Sequence, residues 1–153
     1  YEVATVHRAE NTDDDAQLAK VIEFLKARAG TVVLPLHPRT KAALQRAGLT
    51  LDGITVTAPL GYLEMTHLVK ASAGVLTDSG GLQKEAYFHR VPCITLRDET
   101  EWTETVDAGW NRLWLSPETK TPRRDIDAYG DGNASQRIAQ AITAYLAKDG
   151  GTA

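Results

Sequence analysis

The sequence has few of the residues on which several protein classes depend. Its 153 residues include a single cysteine, Cys93, which excludes an internal disulfide framework and fits a reducing compartment. The formal net charge of −3 argues against nucleic-acid or membrane-surface binding, because phosphate-rich partners demand a broad basic field. No apolar run approaches the roughly 20 residues that a membrane-spanning helix needs, and no signal peptide opens the chain. We therefore expect a cytoplasmic protein.

Length and composition predict one cored domain. With 42% hydrophobic and 24% charged residues, the chain is long enough for one ordinary domain and too short for two. We expect this domain to occupy residues 1–149 and residues 150–153 to form a disordered tail. Because Tyr1 begins directly in the strand-like segment YEVATVH, we also expect the chain to be part of a longer protein.

Strand-like and helix-like segments alternate along the chain. Apolar residues at helical spacing predict a helix over Leu18, Val21, Ile22 and Leu25, capped by the preceding RAENTDDD and ended by Gly30. The later segments are the strand TVVLPLH, the helix PRTKAALQRAG with Gly48 as its cap, the strand ITVTAP, the helix GYLEMTHLVKAS, the strand AGVLTD, the helix GGLQKEAYFHR, the strand VPCITLR, the helix TEWTETVDAG, the strand NRLWLS and a closing helix around Ile138, Ile142, Tyr145 and Leu146. This alternation predicts a Rossmann-like α/β fold, a parallel sheet with helices on both faces.

Polar side chains follow four of the predicted strands at their carboxyl ends. They are His7 and Arg8, then His37, Pro38 and Arg39, then Asp78, Ser79, Gly80 and Gly81, and finally Arg97, Asp98 and Glu99. In an open α/β sheet, ligands bind in the crevice beyond the carboxyl ends of the strands. The sequence therefore predicts a local cationic pocket within an acidic protein.

The stretch LTDSGGLQKEA, residues 76–86, leads from a strand into a helix and can bind an anion. Gly80 and Gly81 have no side chains to block approach, so the N–H groups of the first helical turn can point at a phosphate or diphosphate. Ser79 can add a hydroxyl. Glu85 lies about one and a half turns further along the helix, where it suits sugar hydroxyls. Together these positions predict a site for a nucleoside diphosphate.

Each of these signals also has an ordinary structural explanation. DSGG could be a tight turn with a helix N-cap, and His7 or His37 could be an ordinary hydrogen-bonded histidine. The aspartates 13–15 are expected to cap a helix rather than bind a metal, and the three tryptophans (102, 110 and 114) are expected to pack. The sequence contains neither G-x-G-x-x-G nor G-x-x-x-x-G-K-[ST]. No motif therefore indicates a dinucleotide-binding protein or a P-loop protein.

Four collinear segments resemble the C-terminal domain of the non-hydrolysing UDP-N-acetylglucosamine 2-epimerases. They are VATVHRAEN, PLHPRT, PLGYLEMTHLVKASAGVLTDSGGLQKEA and PCITLRDETEWTETVDAGWN, and the match runs from Tyr1 to about Leu115. The resemblance implies one half of a GT-B-type two-domain fold, with a nucleotide sugar bound between two Rossmann-like domains. It implies conversion of UDP-N-acetylglucosamine to UDP-N-acetylmannosamine by elimination and re-addition of UDP, without a cofactor or metal, in a homodimeric enzyme of cell-surface polysaccharide biosynthesis.

The resemblance also implies roles for individual residues. His7 is similar to the active-site histidine of the family, and the general acid and base would come largely from the N-terminal domain. The residues implied in substrate binding are Arg8, His37, Leu60, Met65, Ser79, Gly80, Gly81 and Glu85. Ser79, Gly80 and Gly81 would hold the diphosphate, and Glu85 the ribose.

Two questions stay open at the level of sequence. Trp102 stands where many family members have arginine in a TER segment, so the sugar could be N-acetylglucosamine or a diacetamido uronic acid. The donor-binding domain of a GT-B glycosyltransferase and a non-catalytic nucleotide-sugar sensor remain alternatives to an epimerase. An epimerase differs from the transferase in needing no acceptor.

Overall fold

The fold is built on a six-stranded parallel sheet. The structure is a computed structural model, and it describes residues 1–116 and 121–149; the expected tail at 150–153 lies outside the described residues. The strands are β1 (Glu2–Thr5), β2 (Val32–Pro35), β3 (Thr55–Thr57), β4 (Gly74–Thr77), β5 (Cys93–Thr95) and β6 (Asn111–Leu113). The sheet order is β3-β2-β1-β4-β5-β6, and every pairing is parallel.

Helices connect the strands in the predicted alternation. They are α1 (Ala9–Thr12), α2 (Asp15–Lys26), α3 (Pro38–Ala47), α4 (Tyr62–Lys70), α5 (Gly80–Phe88), α6 (Thr103–Asp107) and α7 (Ala134–Asp149), with a short 3-10 helix at Asp127–Tyr129. The α3 helix shows the local rules most clearly. It begins with Pro38 after the N-cap His37, whose Nδ1 accepts from the N–H of Arg39 at 3.1 Å. It ends at Gly48, which has a φ of 64° and is the predicted cap.

The sequence prediction was wrong in detail around α2. Only Asp14 caps this helix, accepting from the N–H groups of Ala16 and Gln17 at 2.8 and 3.0 Å. The preceding residues form the separate short helix α1 instead of a capping loop, because Asn11 and Thr12 turn inward and are buried. The α2 helix ends at Lys26, four residues before Gly30, and its apolar face is the predicted one.

The core lies on both faces of the sheet. Side chains alternate along a strand, so Val3 and Val75 face one side, whereas Ala4 and Leu76, their neighbours in register, face the other. The first side packs against α4 and α5, and the second against α2 and α3. This arrangement confirms the predicted α/β class with helices on both faces.

The sheet order decides where the site can form. β2, β1, β4 and β5 are neighbours, so the loops that follow them emerge along one edge of the sheet. These are the four strand ends where the sequence places its polar residues. Within the described ranges, no helix combines the length and apolar character needed to cross a bilayer.

The α7 helix differs from the others in its packing. Every residue from 134 to 147 is exposed. Its large apolar side chains are Ile138, Ile142, Tyr145 and Leu146, which are 59, 55, 67 and 62% exposed. Their spacing places them on one face of the helix. The α7 helix therefore carries an apolar stripe that the sheet does not cover.

Candidate functional site

A cavity of about 300 Å³ opens at the carboxyl edge of the sheet. Its walls come from the end of β1, the end of β2, the loop before α4, and the first turns of α5. The predicted site residues that line it are His7, His37, Leu60, Met65, Ser79, Gly81 and Glu85. Residues from separate parts of the sequence thus meet at one opening.

The structure places two further predicted residues beside this cavity and not in its lining. Gly80 is buried at the start of α5, where an added Cβ atom would overlap Glu101 Oε1 and lie 3.5 Å from Trp102 Nε1. The guanidinium of Arg8 lies 3.9 Å from Glu101 Oε1. The space on this side of the α5 terminus is therefore filled by the Glu101 and Trp102 side chains.

The expected cationic character of the pocket was wrong. Arg39 forms a two-pronged ion pair with Asp13 at 2.7 and 2.8 Å, and Arg97 donates to Glu101 at 2.8 Å. No arginine or lysine is found among the described residues that line the cavity. In an acidic chain, long guanidinium side chains at strand ends reach carboxylates on neighbouring loops, and pairing there removes their charge from the opening.

The Glu101 carboxylate is held in its charged form beside the α5 terminus. The hydrogen bond from its own backbone N–H lowers the pKa of Glu101 below its ordinary value, and Arg97 and Arg8 lower it further. The side chain is 43% exposed, so it remains in contact with solvent. A negative charge therefore stands next to the turn that the sequence predicts for a diphosphate.

The first turn of α5 faces the cavity with open backbone. Ser79 is the N-cap of α5, and its Oγ accepts a long hydrogen bond of 3.4 Å from the N–H of Leu82. DSGG therefore contains a helix N-cap, as its ordinary structural explanation predicts. At Gly81, an added Cβ atom would meet only Ser79 Oγ within 4 Å, at 3.9 Å. The helix itself offers no carbonyl acceptor to the N–H groups of its first turn. An anion can therefore approach this turn from the cavity.

The remaining walls of the cavity supply a carboxylate and an apolar surface. Glu85 follows Gly80 by five residues on the same helix, a rise of about 7.5 Å. Leu60 and Met65 contribute an apolar wall. The cavity thus combines an anion-binding helix terminus, a carboxylate acceptor and an apolar surface, which are the groups that a phosphate, a sugar and a base require.

His7 stands at the end of β1 with its imidazole 39% exposed. Its Nδ1 atom lies 3.5 Å from Asp78 Oδ1, and its ring centroid lies 5.4 Å from that of His37. Two imidazoles therefore face the opening from adjacent strand ends. Each ring offers two nitrogen atoms that can donate or accept hydrogen bonds.

Sequence analysis placed Asp78 at the end of its strand but missed that Asp78 and Asn11 hold the loop after β1 in place. Asp78 is fully buried, and its Oδ2 accepts from the N–H groups of His7 and Arg8 at 2.9 Å and from Asn11 Nδ2 at 3.1 Å. Asn11 is also buried. The available signal was a charged residue directly after a buried strand, since such residues are rarely buried without a specific set of partners.

The three tryptophans behave differently from one another. Trp114 is buried in the core and packs edge-on against Phe24 at 5.7 Å, as the packing prediction requires. Trp110 packs edge-on against Tyr87. Trp102 lies beside the α5 terminus, with Lys84 Nζ 4.3 Å from its ring centroid, and its buried Nε1 has no hydrogen-bond partner in the described part of the chain. Trp102 thus borders the candidate site.

A family model described as UDP-N-acetylglucosamine 2-epimerase matches residues 1–143 of this chain. The chain is 47% identical, over 95% of its length, to the UDP-2,3-diacetamido-2,3-dideoxy-D-glucuronate 2-epimerase of Pseudomonas aeruginosa. It is 38% identical, over 93% of its length, to a UDP-N-acetylglucosamine 2-epimerase of Methanococcus maripaludis. The chain spans 44% of the length of each of these curated relatives.

The fold comparison agrees with these relatives. The chain resembles the crystal structure of Methanocaldococcus jannaschii UDP-GlcNAc 2-epimerase in complex with UDP-GlcNAc and UDP, with a TM-score of 0.77 and 34% identity. The match covers 94% of this chain and 45% of that one. The chain belongs to the UDP-N-acetylglucosamine 2-epimerase family.

Proposed function

We propose that this chain, as a member of the UDP-N-acetylglucosamine 2-epimerase family, is the UDP-binding C-terminal domain of a nucleotide-sugar 2-epimerase. The observation that carries the proposal is the meeting of His7, Ser79, Gly81 and Glu85 around one cavity. These residues follow different strands or lie along one helix, and they provide separate contacts for a diphosphate and a ribose. The related structure bound to UDP-GlcNAc and UDP supports the same ligand class.

The cavity suggests how UDP would lie. The diphosphate would accept hydrogen bonds from the first turn of α5 and from the Ser79 hydroxyl. The ribose hydroxyls would donate to Glu85, about 7.5 Å further along the helix. The uracil would pack on the apolar wall of Leu60 and Met65. His37 and Arg8 would lie close to the phosphates, Arg8 after release from Glu101.

The proposed reaction inverts the configuration at C2 of the sugar. UDP leaves from C1 as a base removes the proton at C2, which gives a glycal. An acid that has exchanged with water then delivers a proton to the other face of C2, and UDP adds back to C1. Negative charge grows on the departing diphosphate in the transition state, so His7 and the helix N–H groups would lower the barrier by stabilising that charge.

The proton transfers at C2 require groups that this cavity does not supply. Glu85 is the only carboxylate among the described residues that line the cavity, and the proposal places it at the ribose. We therefore propose that the general acid and base lie in a companion domain of the same enzyme. The chain's 44% share of its relatives' length leaves room for such a domain.

The α7 helix supports the need for a companion. Its apolar stripe (Ile138, Ile142, Tyr145 and Leu146) is more than half exposed at each position. We propose that the companion domain covers this stripe. From the family resemblance we further propose a homodimer, a cytoplasmic location consistent with the buried free thiol of Cys93, and a role in cell-surface polysaccharide biosynthesis.

A second candidate concerns the sugar. The 47% identical relative is named for a diacetamido glucuronate substrate, and it is more similar to this chain than the 38% identical UDP-N-acetylglucosamine 2-epimerase of Methanococcus maripaludis. These observations favour UDP-2,3-diacetamido-glucuronate as the alternative to UDP-N-acetylglucosamine. Turnover of the two substrates by the two-domain enzyme, compared through kcat/KM, separates the candidates.

The proposal is tested with this chain and with the two-domain enzyme in deuterated water. NMR at C2 of the nucleotide sugar should show deuterium incorporation by the two-domain enzyme without any acceptor. The isolated chain should bind UDP in the range of roughly micromolar to millimolar and should leave C2 unlabelled, since water reaches the exposed diphosphate and the acid and base are absent. Exchange by the isolated chain would place the proton-transfer groups here and overturn this division of roles.

Two results would favour the alternatives to an epimerase. A glycosyltransferase would leave C2 unlabelled and would consume the nucleotide sugar only when an acceptor is added. A sensor would bind UDP and leave C2 unlabelled even as the two-domain protein. Calorimetry with UDP alone gives the same binding result in all three cases. The deuterium measurement separates the epimerase from the other two, and consumption of the nucleotide sugar with an added acceptor separates the transferase from the sensor.

A further inference from the structure

We propose that Asp78 is a positioning residue that keeps the proton of His7 on Nδ1, so that Nε2 is the ring nitrogen that gains or loses a proton at the cavity. The inference rests on the proposed function and deepens it, because it says how the His7 imidazole is prepared for the departing diphosphate. Its basis is an arrangement of hydrogen bonds that the family resemblance did not suggest.

The two oxygens of the Asp78 carboxylate are not equally satisfied. Oδ2 accepts three hydrogen bonds, from the N–H groups of His7 and Arg8 and from Asn11 Nδ2, at 2.9, 2.9 and 3.1 Å. Oδ1 accepts one longer bond, from the His7 N–H at 3.2 Å. Oδ1 therefore retains acceptor capacity on the side that faces the imidazole.

Because Asp78 is buried, the unused acceptor capacity of its Oδ1 atom carries a free-energy cost. Asp78 is 0% exposed, and a buried carboxylate is costly unless donors surround it. No arginine or lysine in the described ranges forms an ion pair with Asp78. The remaining donor is His7 Nδ1, which lies 3.5 Å from Oδ1. A small ring rotation would shorten this contact to a hydrogen bond with Nδ1–H as the donor.

A proton held on Nδ1 decides what Nε2 can do. In the neutral ring Nε2 is then an acceptor, and in the charged ring it becomes a donor that can bond to a phosphate oxygen. If Nδ1 lost its proton, it would present a lone pair to a buried carboxylate, which is repulsive. Asp78 thus restricts proton exchange to Nε2, the ring nitrogen that does not face the buried carboxylate.

The substitution Asp78→Asn separates this role from a purely structural one. With its oxygen in the place of Oδ2, the introduced amide accepts the same three hydrogen bonds that hold the His7 loop. The NH₂ group of that amide then takes the place of Oδ1 and points at His7 Nδ1, which must become an acceptor. The proton moves to Nε2. The equivalent exchange in Ser-His-Asp triads also keeps the geometry and imposes the wrong tautomer.

The chain contains its own references for both tautomers. His37 Nδ1 accepts from the N–H of Arg39 at 3.1 Å, so its neutral ring carries the proton on Nε2. His67 Nδ1 lies 2.9 Å from the carbonyl oxygen of Leu63, so its ring carries the proton on Nδ1. Both contacts are unconnected with Asp78.

The experiment is long-range ¹H–¹⁵N NMR of the chain labelled with ¹⁵N-histidine, at a pH where the rings are neutral. We expect His7 to show the pattern of His67 in the wild type and the pattern of His37 in Asp78→Asn. The matched control Asp14→Asn, at a helix cap outside the cavity lining, should leave all four histidines unchanged. A wild-type His7 with the proton on Nε2, or a folded Asp78→Asn whose His7 tautomer is unchanged, would overturn the proposal. If Asp78→Asn does not fold, the wild-type spectrum decides alone.

Kinetics of the two-domain enzyme test whether the tautomer serves the reaction. Asp78→Asn should lower kcat by about 10²- to 10⁴-fold, the usual contribution of a positioned proton-transfer group, and change KM by less than about threefold. An unchanged kcat in a variant with the altered tautomer would contradict a positioning role. If the wild-type two-domain enzyme shows no epimerisation, the proposed function fails, whereas the NMR result on His7 is unaffected.

Discussion

Asn11 Nδ2 donates a hydrogen bond to the carbonyl oxygen of Leu96 at 2.9 Å, across a sequence separation of 85 residues. The same nitrogen donates to Asp78 Oδ2 at 3.1 Å. Asn11 therefore joins the segment after β1 to the ends of β4 and β5. The candidate site depends on this joining, because His7 lies beyond the last residue of β1 that pairs with a neighbouring strand.

Replacement of Glu85 should separate ribose binding from diphosphate binding. We expect Glu85→Ala to weaken UDP binding to this chain by about 1 to 3 kcal/mol, the size of lost charge-assisted hydrogen bonds. Binding of inorganic pyrophosphate should barely change, because it has no ribose. Calorimetry with both ligands measures the two effects, and Glu23→Ala on the exposed side of α2 is the control. Equal losses for the two ligands would refute the ribose assignment.

Replacement of His7 should affect turnover more than binding. In the two-domain enzyme we expect His7→Ala to lower kcat by about 10²-fold or more and to weaken UDP binding by less than about tenfold, because the interaction strengthens as the diphosphate departs. Steady-state kinetics and UDP titration give the two values. His67→Ala, on the exposed surface of α4, serves as the control. Comparable losses in kcat and affinity would make His7 only a binding residue.

Neutralising Glu101 should improve anion binding. The carboxylate lies against Gly80 at the positive end of α5 and pairs with Arg97 at 2.8 Å. We expect Glu101→Gln to tighten pyrophosphate binding by about 2- to 5-fold, the size of a charge effect near a helix terminus, and the gain should shrink as salt is added. Glu99→Gln, at an exposed position of the same loop, is the matched control. Weaker binding by Glu101→Gln would show that Glu101 positions Arg8 and Arg97 for the anion.

The chain should fold without a companion domain, and core truncation tests this. Leu76 is fully buried on the central strand β4, so Leu76→Ala should lower the free energy of unfolding by about 2 to 5 kcal/mol. Leu63, which is 71% exposed on α4, is the matched leucine control, and its replacement by alanine should change that free energy by less than about 0.5 kcal/mol. Urea denaturation followed by circular dichroism measures both. Similar values for the two variants, or no cooperative transition, would show that the isolated sheet lacks a packed core.

Local signals explain why much of the fold was predictable. The apolar spacing of Leu18, Val21, Ile22 and Leu25 follows the helical period, and these residues form the buried face of α2. Gly48 adopts the left-handed conformation that a helix C-terminus favours. Such features depend on neighbours within a few positions, so they can be read from a single sequence.

The position of the cavity was also predictable, for a topological reason. Alternating strands and helices imply a parallel sheet, and parallel strands bring their carboxyl ends to one edge. That rule predicted that the residues after these strands would lie close together, and His7, His37, Ser79 and Glu85 line one cavity in the structure. The motif residues further identified the family, which the family model then matched over residues 1–143.

The charges and contacts within the site were decided only by the tertiary structure. Arg39 pairs with Asp13, 26 positions away, and Arg97 pairs with both Glu101 and Glu10. These two cations were expected in the pocket, and neither lines it. The burial of Asp78 beneath His7 likewise depends on two strands meeting across 71 residues. Backbone periodicity and capping act over one or two turns, whereas the partner of a long charged side chain depends on which loops the completed sheet places side by side.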